Sequence, residues 1–237
     1  MAKKKTEAPR MLGLRTCNAK LQGFGGFRWP RKGWVEAPDW TPEPTVNGVC
    51  RGGLFFLPWG EGDVERLSPE PDAVWMVVAA DSATHRNIGG KAKAPKAEVV
   101  FCGQRDEAVA YLLSNGGAGK AVVYARITGG DRSTLTGGDD CTLTGGDHST
   151  LTGGDHSTLT GGDGSTLTGG DHSTLTGGYG STLTGGDNST LQFYRWDSMA
   201  NRRRVVVAYV GEDGIEAGVA YRLNNSGKVV RADGKVE

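Results

Sequence analysis

Apolar residues are unevenly spaced along the chain, and the character of their spacing changes twice. Between residues 11 and 128 they come in short runs separated by turn formers. Ala73-Val74-Trp75-Met76-Val77-Val78-Ala79 is continuous enough to predict a strand buried on both faces. Gly52-Gly53-Leu54-Phe55-Phe56-Leu57 predicts a strand after a turn, Glu98 to Cys102 predicts another, and Met11 to Leu14 is a short apolar run. From Arg105 to Ser114, Val109, Leu112 and Leu113 share one helical face, and Asn115-Gly116-Gly117 supplies the stop. Phe24 to Trp59 carries Trp29, Trp34 and Trp40 among Pro30, Pro38, Pro42, Pro44 and Pro58, which predicts a loop-rich aromatic region that packs a core or lines a groove.

From Gly129 to Gln192 the spacing becomes strictly periodic. The unit Gly-Gly-Asp-x-Ser-Thr-Leu-Thr is written eight times without an insertion, with one long apolar residue per unit at 135, 143, 151, 159, 167, 175, 183 and 191. Paired glycines in every unit oppose a helix. Ser-Thr-Leu-Thr alternates as a short strand, Ser and Leu on one side and the two threonines on the other. Gly-Gly-Asp-x reads as the turn, with glycine free to take positive φ and aspartate able to form an Asx-turn. The serine position changes only once, to Cys141, as a buried small site allows. The position after aspartate holds Arg132, Asp140, His148, His156, Gly164, His172, Gly180 and Asn188, a variety that marks an exposed site.

One octapeptide cannot enclose a core, but two facing ones can. The expectation is a β-solenoid of 16 residues per coil and about four coils, with rungs roughly 4.8 Å apart. Ala125-Arg126-Ile127-Thr128 copies the strand register and predicts a degenerate first rung. Phe193-Tyr194-Arg195-Trp196 continues the last rung, Arg203 to Tyr209 returns as a strand, and Val219 to Leu223 pairs with Lys228 to Arg231 about Asn224-Asn225-Ser226-Gly227. Open solenoid ends expose unpaired backbone, so both flanks are expected to cap. The fold class expected is mainly β: a disordered basic tail at 1–10, an N-terminal α+β domain at 11–128, the solenoid at 129–192 and a small C-terminal β capping unit at 193–237.

Thr-Leu-Thr within an octapeptide, and the variant Gly177-Gly178-Tyr179-Gly180-Ser181-Thr182-Leu183-Thr184, resemble the central repeat of bacterial ice nucleation proteins, Ala-Gly-Tyr-Gly-Ser-Thr-x-Thr. The resemblance covers 64 of the 237 residues, with Gly in place of Ala and Asp in place of Tyr in seven of eight copies. It implies a β-solenoid whose Thr-x-Thr ladders order water, here Thr134, Thr136, Thr150, Thr152, Thr166 and Thr168. The flanks, through Phe24-Gly25-Gly26-Phe27, Trp29-Pro30, Val35 to Trp40 and Tyr209 to Glu216, resemble uncharacterised proteins of bacteria and their phages that enclose similar octapeptides.

Charge shifts the functional expectation. The chain has 27 acidic and 27 basic residues, but the repeat holds eight aspartates against Arg132, a net of −7, which leaves +7 on the flanks. Coils of 16 residues stack Asp131, Asp147 and Asp163 on one edge, with Tyr179 alone in that row, and Asp139, Asp155, Asp171 and Asp187 on the other. Two parallel carboxylate rows suit a basic, nucleic-acid-binding protein partner. The primary expectation is therefore a non-enzymatic interaction protein that offers these residues to such a partner, in the manner of a phage-encoded defence-blocking nucleic-acid mimic. A self-association module, giving a homo-oligomer, and an ice-binding Thr-x-Thr surface are the alternatives.

Other chemistry is sparse. The period of eight departs from the nine-residue calcium-binding repeat, so neither metal nor cofactor is expected. His148, His156 and His172 read as solvated turn residues that add a pH response. His85 has no nucleophile or orienting partner in a recognisable pattern, and Gly116 to Lys120 lacks the phosphate-loop spacing, so no enzyme is expected. Arg202-Arg203-Arg204 is expected to pair with the acidic repeat. Cys17, Cys50, Cys102 and Cys141 lack metal or disulfide spacing and read as isolated thiols of a reducing compartment. Residues 1–10 lack an apolar secretory core and no run approaches a membrane span, so the expected place is the cytoplasm of a bacterium or phage-infected host, with no membrane and no direct nucleic-acid contact.

Overall fold

The computed structural model describes residues 10–43 and 52–234. Cys50, Pro44 and nearly all of the basic N-terminal segment lie outside the described residues. The chain divides into two compact units, Met1–Ala118 and Gly119–Glu237.

The first unit is built on an antiparallel sheet. Its strands are β1 (Arg10–Cys17), β2 (Gly33–Glu36), β3 (Leu54–Pro58), β4 (Val74–Asp81), β5 (Arg86–Asn87), β6 (Ala92–Ala94) and β7 (Lys96–Gly103), in the order β2-β7-β4-β1-β3-β6-β5. The continuous apolar run is β4, buried through six of its eight residues and flanked by β1 and β7. Helix α1 (Arg105–Leu112) packs on β1, β4 and β7 through Ala108, Val109 and Leu112, and a π-helical turn over Leu113–Gly117 ends it. A second core gathers Met11, Cys17, Trp29, Leu54, Phe56, Met76, Val78, Ala97 and Val99.

Two strands exceed what the apolar pattern predicts. β1 extends through Cys17 because Arg15, the polar residue that follows the apolar run, is itself buried: its guanidinium lies 3.5 Å from the Trp29 ring centre and donates to Phe55 O at 3.0 Å. Gly13 sits where the Phe56 ring leaves no room for a Cβ. Arg10 opens β1 and ion-pairs with Glu98, so it belongs to the sheet rather than to a tail. β2 lies inside the region read as loop. It is an edge strand on β7 with alternating half-buried and exposed residues, too polar and short to show as an apolar run.

The second unit contains the solenoid. Its rungs are β8 (Arg126–Thr128), β9 (Thr134–Thr136), β10 (Thr142–Thr144), β11 (Thr150–Thr152), β12 (Thr158–Gly161), β13 (Thr166–Thr168), β14 (Thr174–Gly177), β15 (Thr182–Thr184) and β16 (Thr190–Asp197). Even-numbered rungs form one parallel sheet and odd-numbered rungs β9 to β15 the other, each residue pairing with the one sixteen further on, as Leu143 with Leu159 and Leu151 with Leu167. The expected coil length and count of about four coils are those found. Arg126-Ile127-Thr128 does join as a rung, on Thr142-Leu143-Thr144. The octad it closes begins earlier, since Tyr124 has φ +58° in the place that Asp140 occupies one coil later at +57°.

Leucines 143 to 191 are fully buried between the sheets, and the serines beside them are buried too. The serines are hydrogen-bonded along the coil axis: Ser165 Oγ donates to Gly146 O at 3.2 Å, and Ser149 N–H donates to Ser165 Oγ at 3.2 Å. Buried polar groups are thereby satisfied without water. Cys141 replaces one member of this ladder and donates to Ser157 Oγ at 3.2 Å; burial pushes its thiol pKa up.

The turn works differently from the sequence expectation. Positive φ falls on the residue after aspartate, at +56° to +58° for Arg132, Asp140, His148, His156, His172 and Asn188, and none of the paired glycines of the repeat adopts it. Those glycines are required for close approach instead. A Cβ on Gly145 would lie 2.7 Å from Ser149 Cβ inside the coil, and one on Gly162 would lie 2.7 Å from Asp147 N and 2.8 Å from Gly146 C of the preceding coil.

At the C-terminal end each sheet receives an antiparallel strand. β17 (Arg202–Tyr209) pairs with all of β16, and β18 (Ala220–Leu223) pairs with β15 and then with β19 (Val229–Arg231). Between them, Val210 N–H donates to Ser189 O and Gly218 N–H to Gly185 O, both at 2.9 Å. Buried Tyr221 fixes this crossing: its hydroxyl accepts from Glu216 N–H at 2.8 Å. Arg204 pairs with Asp197 of the adjoining turn at 3.0 Å rather than with the acidic repeat, because β17 starts at that turn and sets Arg202 to Arg204 opposite Asp197 to Arg195.

The two kinds of turn position are expected to respond oppositely to substitution. Gly162→Ala forces a Cβ onto backbone and is expected to cost about 1–3 kcal/mol. His148→Gly relieves a left-handed residue and is expected to raise stability by up to about 1 kcal/mol. Thermal and urea unfolding of the two variants checks both signs.

Candidate functional site

The solenoid presents two surfaces, its edges and its sheet faces. On the edges each aspartate reaches one coil ahead. Asp131 Oδ1 accepts from Asp147 N–H at 3.0 Å, Asp147 Oδ1 from Asp163 N–H at 2.8 Å, and Asp163 Oδ1 from Tyr179 N–H at 2.7 Å. On the other edge Asp139, Asp155 and Asp171 accept from the N–H groups of Asp155, Asp171 and Asp187 at 2.8–3.1 Å. The structure thus stacks these residues in the two rows expected and gives them a role the sequence did not reveal. Each non-terminal carboxylate accepts a charge-assisted bond that joins consecutive coils. The next residue's N–H completes the bracket, as Arg132 N–H donates to Asp147 O at 2.7 Å.

The variable positions point outward beside these rows. His156 and His172 stack with ring centres 5.0 Å apart and planes 7° from parallel, one coil apart. His148 stands on the opposite edge, beside Gly164. No group of three or more potential metal ligands occurs among the described residues. Tyr179 is 69% exposed.

On the sheet faces the threonines stand in register. Thr134, Thr150, Thr166 and Thr182 form one column and Thr136, Thr152, Thr168 and Thr184 the next. Thr150, Thr152, Thr166 and Thr168 are exposed. The sequence reading named one such face, and the opposite one is built alike from Thr142, Thr144, Thr158, Thr160, Thr174 and Thr176. Threonine is stiff at χ1 on a strand, so each face holds hydroxyl and methyl groups in fixed rows with little rotamer freedom left to lose.

In the first unit the aromatic residues divide between core and surface. Trp29 is buried against Phe27 in an edge-to-face contact at 5.7 Å, whereas Trp34 is exposed, with Arg10 and Lys96 at 5.1 and 5.0 Å from its ring centre. A cavity of about 1110 Å³ is lined by Arg15, Gly23, Phe27, Trp29, Phe55 and Lys91 among others. Burial pushes the Arg15 pKa down to about 10, against the opposing influence of Cys17 beside it. His85 sits in the turn between β4 and β5, and its Nδ1 is buried without a hydrogen-bond partner.

Comparison with known proteins matches this repeat architecture. The chain is 41% identical over 108 residues to an ice nucleation protein of Xanthomonas campestris pv. translucens, covering 45% of this chain and 7% of that protein. A match of this length is consistent with the repeat segment. Ice nucleation protein InaU of Pantoea ananas is 38% identical over 106 residues, 44% of this chain and 10% of its own length. An ice nucleation protein of Pseudomonas fluorescens is 36% identical over 112 residues, 46% of this chain and 9% of its own. The chain therefore spans a tenth or less of the length of these relatives. No family model matches it, and no solved structure matches it. No helix among the described residues is long and apolar enough to cross a membrane.

The bracket role of aspartate separates shape from charge. Asp147→Ala leaves the Asp163 N–H without its acceptor and is expected to cost about 1–3 kcal/mol, whereas Asp147→Asn keeps an acceptor and is expected to cost less than about 1 kcal/mol. Equilibrium unfolding in urea distinguishes the two.

Proposed function

We propose that the solenoid is a non-catalytic module whose Thr-x-Thr faces adsorb to ordered water at an ice surface. The observation that carries this reading is the register of exposed threonines, residue to residue across consecutive rungs on both faces. Rungs about 4.8 Å apart and alternate residues about 6.7 Å apart make a rectangular array of hydroxyl and methyl groups. The names of the relatives give the ligand class, and their far greater length sets the difference in task. A patch of about four rungs is too small to template a new crystal and large enough to attach to one already present. Lys or Glu side chains would disorder such a face, and the repeat contains neither.

A second reading rests on the edges. The repeat carries a net charge of −7, and Asp147, Asp155, Asp163, Asp171 and Asp187 remain exposed while bracketing the coils. These rows suit a basic protein partner, including a nucleic-acid-binding protein of the host of a phage. Replacing Asp131, Asp147, Asp155 and Asp171 by Asn keeps the brackets and removes four charges. On this reading the change abolishes salt-sensitive capture of such a partner from host lysate.

The first reading is tested by ice-crystal habit and thermal hysteresis. The intact protein is expected to facet ice crystals and separate freezing from melting, without raising the freezing temperature of supercooled droplets. Thr150→Lys with Thr168→Lys on one face, compared with Thr142→Lys with Thr160→Lys on the other, assigns the active face. Round crystals with coincident freezing and melting points for the intact protein would exclude this function.

A further inference from the structure

The C-terminal strands close the coil ends and leave an edge of their own. Among the described residues β17 is the terminal strand of its sheet, eight residues long and paired on one side only, with β16. The direction of its backbone groups follows from the rungs. Thr190 N–H points back into the solenoid and donates to Ser173 O at 2.8 Å. In the antiparallel pair, Leu191, Phe193 and Arg195 therefore face β17 and bond to Ala208, Val206 and Arg204. The N–H and C=O groups of Arg203, Val205 and Val207 are left pointing outward from the sheet.

The side chains at this edge are apolar over half its length. Val205, Val207 and Tyr209 are 47%, 43% and 51% exposed, and Trp196 on the neighbouring strand is 58% exposed. Open edges in monomeric proteins are usually guarded by charge, proline or a bulge. Arg202-Arg203-Arg204 guards the first half of β17, and Val205-Val206-Val207-Ala208-Tyr209 has no such guard.

We propose that β17 pairs antiparallel with β17 of a second copy of this chain, about a two-fold axis at Val206. This register sets Val205 opposite the second copy's Val207, so that the outward N–H and C=O groups of both residues meet, twice by symmetry. The four valines form one cluster on the exposed face. Each Arg203 falls opposite a Tyr209, where a cation can lie on the ring. The nearest members of the two arginine triplets, the two Arg204 residues, lie roughly 14 Å apart along the strands. Other registers lose these features. A shift of the axis to Arg204 puts arginine opposite arginine, a shift to Ala208 removes Val205 from the pairing, and a parallel arrangement runs the triplets side by side. The self-complementary pattern is what identifies a second copy as the occupant. The pairing leaves the threonine faces of the repeat in place, so its test is independent of ice adsorption.

Sedimentation equilibrium of the intact chain over a concentration series is expected to show a monomer–dimer equilibrium. Val205→Lys is expected to weaken it at least tenfold. Val207→Pro removes an outward N–H without touching the bonds to β16 and is expected to do the same, with unchanged far-ultraviolet circular dichroism. Val206→Cys is expected to form an intermolecular disulfide on mild oxidation above the level given by the native thiols, because the two Val206 residues sit opposite each other; Ala208→Cys is not. A dimer that persists in both Val205→Lys and Val207→Pro overturns the assignment to β17. A monomer at every concentration with no Val206→Cys cross-link overturns self-pairing and leaves the edge to an extended segment of another protein.

Discussion

Consecutive coils of this solenoid touch backbone to backbone at their turns, and most features of the repeat follow from that contact. A Cβ on the second glycine of a unit would collide with the preceding coil, as Gly162 would with Asp147 N and Gly146 C. With the coils so close, the turn N–H groups cannot reach water and need partners in the neighbouring coil. Aspartate meets one of these needs through Oδ1, and the carbonyl of the next coil's aspartate meets another. Serine meets the need inside the coil, because its hydroxyl is short enough to fit beside leucine and can both donate and accept along the axis. The left-handed residue after aspartate turns the chain into the next strand. Its side chain points away from the core, which is why Arg, Asp, His, Gly and Asn are all tolerated there.

The solenoid was readable in the sequence because one requirement is written eight times, so position and tolerance can be compared within a single chain. That comparison placed leucine and serine inside, threonine outside and the coil length at sixteen. It failed on the turn, where composition could not distinguish a glycine needed for φ from one needed for space. It gave the aspartates a turn role and a surface charge but not the bond between coils, because a side chain's bond to the backbone sixteen residues on leaves no local signal. The first unit was less legible for a related reason. β1 is a central strand whose pattern is interrupted by a buried arginine stacked on Trp29 and by a glycine that makes room for Phe56. Both are explained by residues distant in sequence. β2 escaped notice because an edge strand with one half-buried face needs little apolar character.

Two surfaces of different chemistry result from this construction. The edges carry a charge that also holds the coils together, so their acidity is not separable from the fold by deletion, only by isosteric change. The threonine faces carry no comparable structural duty: β-branched residues suit a strand, but nothing in the rung requires the same one at both outward positions in seven of the eight copies. Unneeded uniformity is the better indicator of a surface in use. That argument favours the faces over the edges as the site of contact, even though charge made the edges more conspicuous.

The placement of Tyr179 shows how closely side-chain choice is tied to position in the stack. A tyrosine can offer its own N–H to the carboxylate of the coil before it, as Tyr179 does to Asp163. It offers no carboxylate to the coil after it. At 147 or 163 such a residue would leave the following N–H without the side-chain acceptor it now has. At 179 there is no following repeat turn on that edge, since the chain continues from Leu191 straight into the extended β16. The departure from aspartate therefore falls on the last member of its row, where the bracket has nothing further to hold.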